Sequence, residues 1–473
     1  MRQLGRLGPL APFLVLALAM TPGCGAGGPA GPPATVSTTP IMTQADDWST
    51  FAHDQQRTGY EATPGNVNQS TVSQLQLRWS YKSAGKFIAS PIAVNGVVYV
   101  VDETGQLTAL DNATGSVLWV KQLGAVVQMT PSLADGMLFV GTHTAPGKLY
   151  ALDPLTGNTL WENTVPGAIR SSPVVLNGTV YIGSATGDSP SCLPGGVYSF
   201  DEHSGAAKLS WLTEPGIADG GAVWAPISTD GTNLYFGTGN TCVNAPNTND
   251  AIIGANASTL ASAWVYNTGG PNWVDDDVGS GVALVGNVGY AVAKNGWLYG
   301  LNLSNGQVQM SSQINTLDSY GGFSTPTVTE DTIVVEAGYN QNPYPLPAGT
   351  ATGGTLYGLS MAGKVKWSLT STWVMLSSPA ATKDLIFASL DNSVDAIDPS
   401  SGKELWSYVT TGTFAASPIV VSSGVYANDL SGIVYAFGLP SNADQANKTR
   451  AFAGARLGVT SFTPPFRREC FTH

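Results

Sequence analysis

The sequence predicts an all-β protein: an eight-bladed β-propeller of four-stranded antiparallel blades, closed by an N-terminal strand that completes the last blade. Three observations predict it. A unit of about forty residues recurs along the chain. Each copy holds four short apolar segments separated by turn residues. The two ends of the series carry complementary fragments of one unit.

One copy reads SPIAVNGVVYVVDETGQLTALDNATGSVLW over residues 90–119, and a later one SSPAATKDLIFASLDNSVDAIDPSSGKELW over 377–406. A Ser/Thr-Pro start leads into an apolar strand, a turn and an alternating strand such as VVYVV. A Gly-containing turn, a third strand, an Asp-x-x-Thr/Ser-Gly turn and a fourth strand ending near Trp follow. Asn95-Gly96 and the Thr-Gly pairs supply the positive φ that tight hairpins require. Four strands so joined make one antiparallel sheet. A lone sheet leaves apolar faces in water, so the sheets must stack around an axis. The Trp offers each blade a large apolar anchor against its neighbour.

Fourth strands are marked by Trp79, Trp119, Trp161, Trp211, Trp264, Met310, Trp367 and Trp406, with Met310 the degenerate member. Subtracting neighbours gives gaps of 40, 42, 50, 53, 46, 57 and 39 residues. First strands start at Pro91, Pro131, Pro173, Pro226, Gly281, Pro326, Pro379 and Pro418. The series opens on an orphan fourth strand, LRWSY at 77–81, and ends on three strands, 417–438, that lack a fourth. The orphan completes the last blade, which leaves no free edge inside the ring. An open solenoid is the competing architecture, and the complementary ends argue against it.

The flanks follow. Arg2 and Arg6 precede the apolar run LAPFLVLALAM at 10–20, so residues 1–24 read as an export signal whose core is short for a membrane span. Cys24 in MTPGC is placed as the acylated cysteine of a lipoprotein would be, although Thr21 and Pro22 depart from that motif. Lipidation at Cys24 and simple secretion both stay open. Residues 25–45 form a Gly/Pro/Ala/Thr/Ser tether, 46–439 the propeller, and 440–473 a tail without repeat, expected to be poorly ordered. An exported protein lies in the periplasm or at the cell surface, with a lipid as its only expected membrane anchor.

Composition narrows the function. A net charge of −12 with no basic stripe argues against a nucleic-acid partner. The histidines His53, His143, His203 and His473 show no metal-ligand spacing, and no haem-attachment, nucleophile-elbow or phosphate-loop string is found. Blades three and four carry long insertions, as the gaps of 50 and 53 residues show. Loops on a rigid scaffold are where sites sit. Four strings stand out: YIGSATGDSPSCLPGGVYSFD (181–201), GGAVWAPISTDGTNLYFGTGNTC (220–242), NWVDDDVGSG (272–281) and AVAKNGWLYGLN (291–302).

With these strings and the opening DDWSTFAHDQQRTGY (46–60), the chain resembles the pyrroloquinoline quinone (PQQ) dehydrogenases, closest to the alcohol and polyvinyl-alcohol branch. The resemblance spans about residues 46–438. It implies roles residue by residue. Trp224 would stack under the quinone ring, and its bland alternative is core packing. Asn240 would be an amide ligand of calcium, or otherwise a turn residue. Asp277 would be the base that takes the alcohol proton and a further calcium ligand, with Asp275 and Asp276 as near alternatives and a solvated acidic turn as the bland one. Lys294 would donate to a quinone oxygen, or otherwise sit on a hairpin surface.

The resemblance also implies a Glu calcium ligand on the third-blade loop, where this chain offers the shorter Asp188. The family's adjacent cysteine pair is absent. Cys192 and Cys242 lie on the two insertions and are expected to form a disulfide in an exported protein. The implied function is oxidation of a small-molecule or polymeric alcohol by PQQ with calcium, electrons leaving to a separate acceptor because no haem string is present. The alternative is a non-catalytic binding propeller resembling BamB-type outer-membrane assembly lipoproteins.

Overall fold

The computed structural model describes residues 43, 47–185, 195–213, 222–239, 250–268, 276–315, 322–338, 353–372 and 375–440. All belong to one of two units of the chain, Pro40–His473. The signal segment 1–24, most of the tether and the tail from 441 lie outside these residues, as do Asp188, Cys192, Asn240 and Cys242.

Eight antiparallel sheets are present among the described residues. Blade one is typical, with strands Ile92–Val94, Val97–Val101, Gln106–Asp111 and Val117–Gln122 in that order from the axis outward. Blade three adds a short pairing of Ala168–Ile169. Blade eight joins Ile419–Val421, Gly424–Asn428 and Ile433–Gly438 to Gln76–Lys82, as the orphan strand predicts. In blade one the second and third strands are almost wholly buried, whereas the outermost alternates between exposed and half-buried residues. Such burial on both faces requires sheets stacked face to face.

In six repeats the Trp performs the anchoring expected of it, in a specific way. Trp79 Nε1 donates to Asn112 O of the next blade at 2.7 Å, Trp161 to Glu202 O at 2.7 Å and Trp264 to Leu303 O at 2.8 Å. The turn glycine of the next blade lies against the same indole. A Cβ on Gly115 would come within 2.6 Å of Trp79, and one on Gly205 within 2.6 Å of Trp161. Both glycines also hold positive φ, of 72° and 70°. The Thr-Gly turn is therefore glycine for two reasons, backbone conformation and close approach of an aromatic ring. Met310 fills the same place, against Gly363 of blade six.

The Ser/Thr-Pro start also has a cause that spans blades. At Pro91, Pro131, Pro379 and Pro418 the preceding hydroxyl accepts an N–H from the blade before it. Ser90 N donates to Thr130 Oγ1 at 3.0 Å, Thr325 N to Ser378 Oγ at 2.9 Å, Ser378 N to Ser417 Oγ at 2.8 Å and Ser417 N to Ser90 Oγ at 2.9 Å. Blade four carries Ala225 at this position instead.

Residues 47–61 form a strap along the inner strands. Trp48 pairs with Ala93 of blade one, and Ser49 O accepts from Leu133 N of blade two. Gln55, Gln56, Thr58 and Gly59 carbonyls accept from Thr229, Leu284, Val328 and Ala381 of blades four to seven. Blade three is reached by a side chain. Arg57, fully buried, donates to Pro173 O at 3.1 Å as well as to Ile227 O at 2.9 Å. His53 closes the strap on itself, 3.2 Å from Glu61 and 3.4 Å from Asp54. Burial opposes its charge, but hydrogen bonds and attraction from the two carboxylates prevail and raise its pKa to about 9.

Candidate functional site

The connections from second to third strand, and from each outer strand to the next blade, leave the sheets at one common end. Among the described residues, Trp224, Asp276, Asp277 and Lys294 lie on connections of these two kinds. Residues 222–227 run from blade three into blade four, 276–282 from four into five, and 322–326 from five into six. Residues 293–296 turn between the second and third strands of blade five.

Backbone pairing pins these connections to one another. Val223 N donates to Ser184 O at 3.0 Å, Val278 N to Thr238 O at 3.1 Å, and Lys294 N to Asp277 O at 2.9 Å. Asn295 Nδ2 donates to Thr268 O and to Tyr299 Oη, both at 2.9 Å. Thr268 Oγ1 in turn approaches Asp276 O at 3.4 Å. The acidic turn is thereby held on a rigid sheet end.

The side chains converge. Lys294 Nζ lies 2.6 Å from Asp277 Oδ2, with the two side chains only 8% and 2% exposed. The same ammonium sits 5.4 Å from the ring centre of Trp224 and 5.5 Å from that of Phe323. The two rings are 5.7 Å apart and inclined at 48°. A buried carboxylate thus balances a buried ammonium, and two aromatic faces add cation–π attraction in a poorly hydrated place. Lys294 is no surface hairpin residue, and Asp277 is not part of a solvated acidic turn.

Two glycines make room for this cluster. A Cβ on Gly279 would run into Trp224 Cη2, and one on Gly239 into the carboxyl group of Asp277. The indole therefore crosses backbone that carries no side chain, in the next connection round the ring. Trp224 stays partly exposed, so it is not simply core packing.

Of the residues named from sequence, Trp224, Asp277 and Lys294 come together, and Asp276 is their neighbour. Asp188, Asn240, Cys192 and Cys242 lie outside the described residues. Two further residues belong to the same neighbourhood. Phe323 follows Gly322 three places before Pro326, in the repeat column that Arg170 and Val223 occupy in blades three and four. Ser184 is fully buried; its carbonyl takes the Val223 N–H, while its Oγ lies against Gly167 of the preceding connection and has no hydrogen-bond partner. Arg170 Nε donates to His143 Nε2 at 2.9 Å one connection further round.

A planar, polyanionic quinone such as PQQ fits this donor set. Trp224 offers an aromatic face, Lys294 an ammonium donor and Ser184 an unsatisfied hydroxyl at a buried place, where an unmade hydrogen bond costs about 1–3 kcal/mol. Asp277 supplies a hard carboxylate oxygen of the kind calcium takes. No group of three or more His, Cys, Asp or Glu side chains suited to a metal occurs among the described residues.

The fold is shared with solved structures of low identity. Quinohemoprotein alcohol dehydrogenase from Comamonas testosteroni superposes with a TM-score of 0.72 at 19% identity, covering 84% of this chain and 82% of that one. A europium-containing methanol dehydrogenase gives 0.70 at 16%, covering 84% and 99%. BamB from Moraxella catarrhalis gives 0.59 at 17%, covering 77% and 99%. No protein of curated function matches the chain. The family model named PQQ_2 and described as "Outer membrane protein assembly factor BamB" matches residues 62–266, 121–342 and 263–460. With repeats matched from the orphan strand through the last blade, the chain belongs to this PQQ-type propeller family.

Proposed function

We propose that this propeller binds PQQ and oxidises an alcohol with the help of calcium. The observation that supports it most is the single cluster formed by Trp224, Asp277 and Lys294, which come from three different connections. PQQ, when bound, accepts the hydride and so the two electrons of the alcohol. The chain's own residues hold and position. Trp224 supports the flat ring, and Lys294 and Ser184 donate to its oxygens. Asp277, with Asp188 and Asn240, would hold calcium. Asp277 takes the hydroxyl proton, and its place against Lys294 in a buried setting keeps water from competing for that proton. The substrate is a small or polymeric alcohol, and electrons leave to a separate acceptor.

The reading includes export, with Cys24 either lipidated or not retained, and a Cys192–Cys242 disulfide joining the two insertions. No helix among the described residues is long and apolar enough to cross a membrane. A non-catalytic scaffold of the BamB type is the second reading. It is favoured by the family description and by the way Lys294 and Asp277 satisfy each other without a ligand.

The test is reconstitution with PQQ and calcium. Binding is followed by quenching of tryptophan fluorescence, and turnover by dye reduction with short alcohols and polyvinyl alcohol. Micromolar binding that is lost in Trp224→Ala is expected. Absence of binding at micromolar PQQ would leave the scaffold reading standing.

A further inference from the structure

We infer that Phe323 is the end wall of the site, the residue that stops a flat ligand lying on Trp224 and so sets its position against Asp277 and Lys294. This rests on the PQQ reading above and adds a residue that the sequence resemblance does not assign.

The backbone of Phe323 is fixed on both sides. A Cβ on Gly322 would overlap Val292 Cγ1, so the chain lies directly on the second strand of blade five. Thr325 N is held by Ser378 Oγ of blade seven at 2.9 Å. The ring is half-buried, and so it presents a surface rather than filling the core. It approaches the Lys294 ammonium at 5.5 Å, nearly the same distance as Trp224 at 5.4 Å.

The inclination of the rings decides the role. A planar ligand laid parallel to the Trp224 indole is inclined by the same 48° to Phe323. It cannot stack on both. It meets Phe323 by its rim at that tilt, a contact of edge against ring rather than of face on face. Trp224 therefore fixes the plane of the ligand and Phe323 fixes how far it slides toward blade six. Phe323 carries no polar atom, so its contribution is exclusion of water and a steric stop.

The experiment uses the full chain with PQQ and calcium. Affinity is read from tryptophan quenching, and ligand orientation from the induced circular dichroism of bound PQQ. Phe323→Ala is expected to weaken binding roughly tenfold, the loss of one well-placed aromatic contact, and to change the sign or shape of the induced band. Phe323→Tyr is expected to restore both. Should Phe323→Ala fail to fold, as judged by its melting transition, Phe323→Leu takes its place with the same expected change in the induced band. Wild-type affinity and an unaltered band in the truncated variant would overturn the end-wall role while the PQQ reading stands. Failure of the wild type itself to bind PQQ would remove both.

Discussion

Replacing Arg57 by Ala should destabilise the propeller more than any change at its surface. Arg57 is fully buried, and its guanidinium serves five blade-facing or strap carbonyls, at shortest range Ile227 at 2.9 Å, Phe51 at 3.0 Å and Pro173 at 3.1 Å, and more distantly Asp54 at 3.4 Å and Ser172 at 3.5 Å. It also donates to Thr50 Oγ1 at 2.6 Å. Burial lowers its pKa to about 10, which still leaves it charged at neutral pH. Each carbonyl orphaned in the interior costs about 1–3 kcal/mol. Part of that is returned, because burying a charge costs several kcal/mol in the first place and water can enter the vacated space. The net expectation is a loss of about 3–5 kcal/mol, in line with breaking a buried charged network. Urea denaturation followed by tryptophan fluorescence measures it. Arg57→Lys should recover less than half, since one ammonium cannot reach blades three and four together. A loss below about 1 kcal/mol in Arg57→Ala would refute the view that the strap is held through this side chain.

Other expectations follow from the same geometry. The His53 pKa is raised to about 9 from an ordinary value of 6.5, so its stabilisation is complete below about pH 6.5 and disappears as pH rises through about 9. That contribution is on the order of 3 kcal/mol, and the difference in urea midpoint between wild type and His53→Asn should shrink accordingly as the pH is raised. Gly279→Ala places a methyl group against Trp224 Cη2 and should displace the indole. Its near-ultraviolet circular dichroism should change without ligand, and PQQ affinity should fall at least tenfold; an unchanged spectrum would show that the indole does not lie where described. Trp79→Ala removes both the hydrogen bond to Asn112 and the seat of Gly115, and should cost about 3–5 kcal/mol in chemical denaturation.

The ring was legible because its signature residues serve contacts between blades. A Thr/Ser-Gly turn recurs where the glycine touches the Trp of the blade before it, as Gly115, Gly157, Gly205 and Gly402 do. The Ser/Thr-Pro start recurs where its hydroxyl takes an N–H from that blade. Such demands recur at most steps of the ring, so they leave a periodic trace. The strap has no period, and Arg57 could not be read as interior because an arginine is ordinarily exposed. The site was legible in part. Trp224, Asp277 and Lys294 stand in distinctive strings, yet only closure of the ring brings blades three to five together. Phe323 stands in no such string. Its one signal is the gap of 57 residues before Trp367, longer than either insertion that drew attention. Ser184 is one serine among many until its buried, unpartnered hydroxyl is seen.

The closure of blade eight has a consequence for how the chain is made. Tyr81 pairs with Val434, so a strand emitted near the start must wait for nearly the last strand before it has a partner. The strap is in the same position, since its carbonyls are claimed by inner strands of blade two and of blades four to seven. Blades one to seven can form from local hairpins as they emerge, but the N-terminal segment is ordered only when the ring is complete. The final locking of strap and last blade is then a single late step, after which the first and last strands of the ring share one blade.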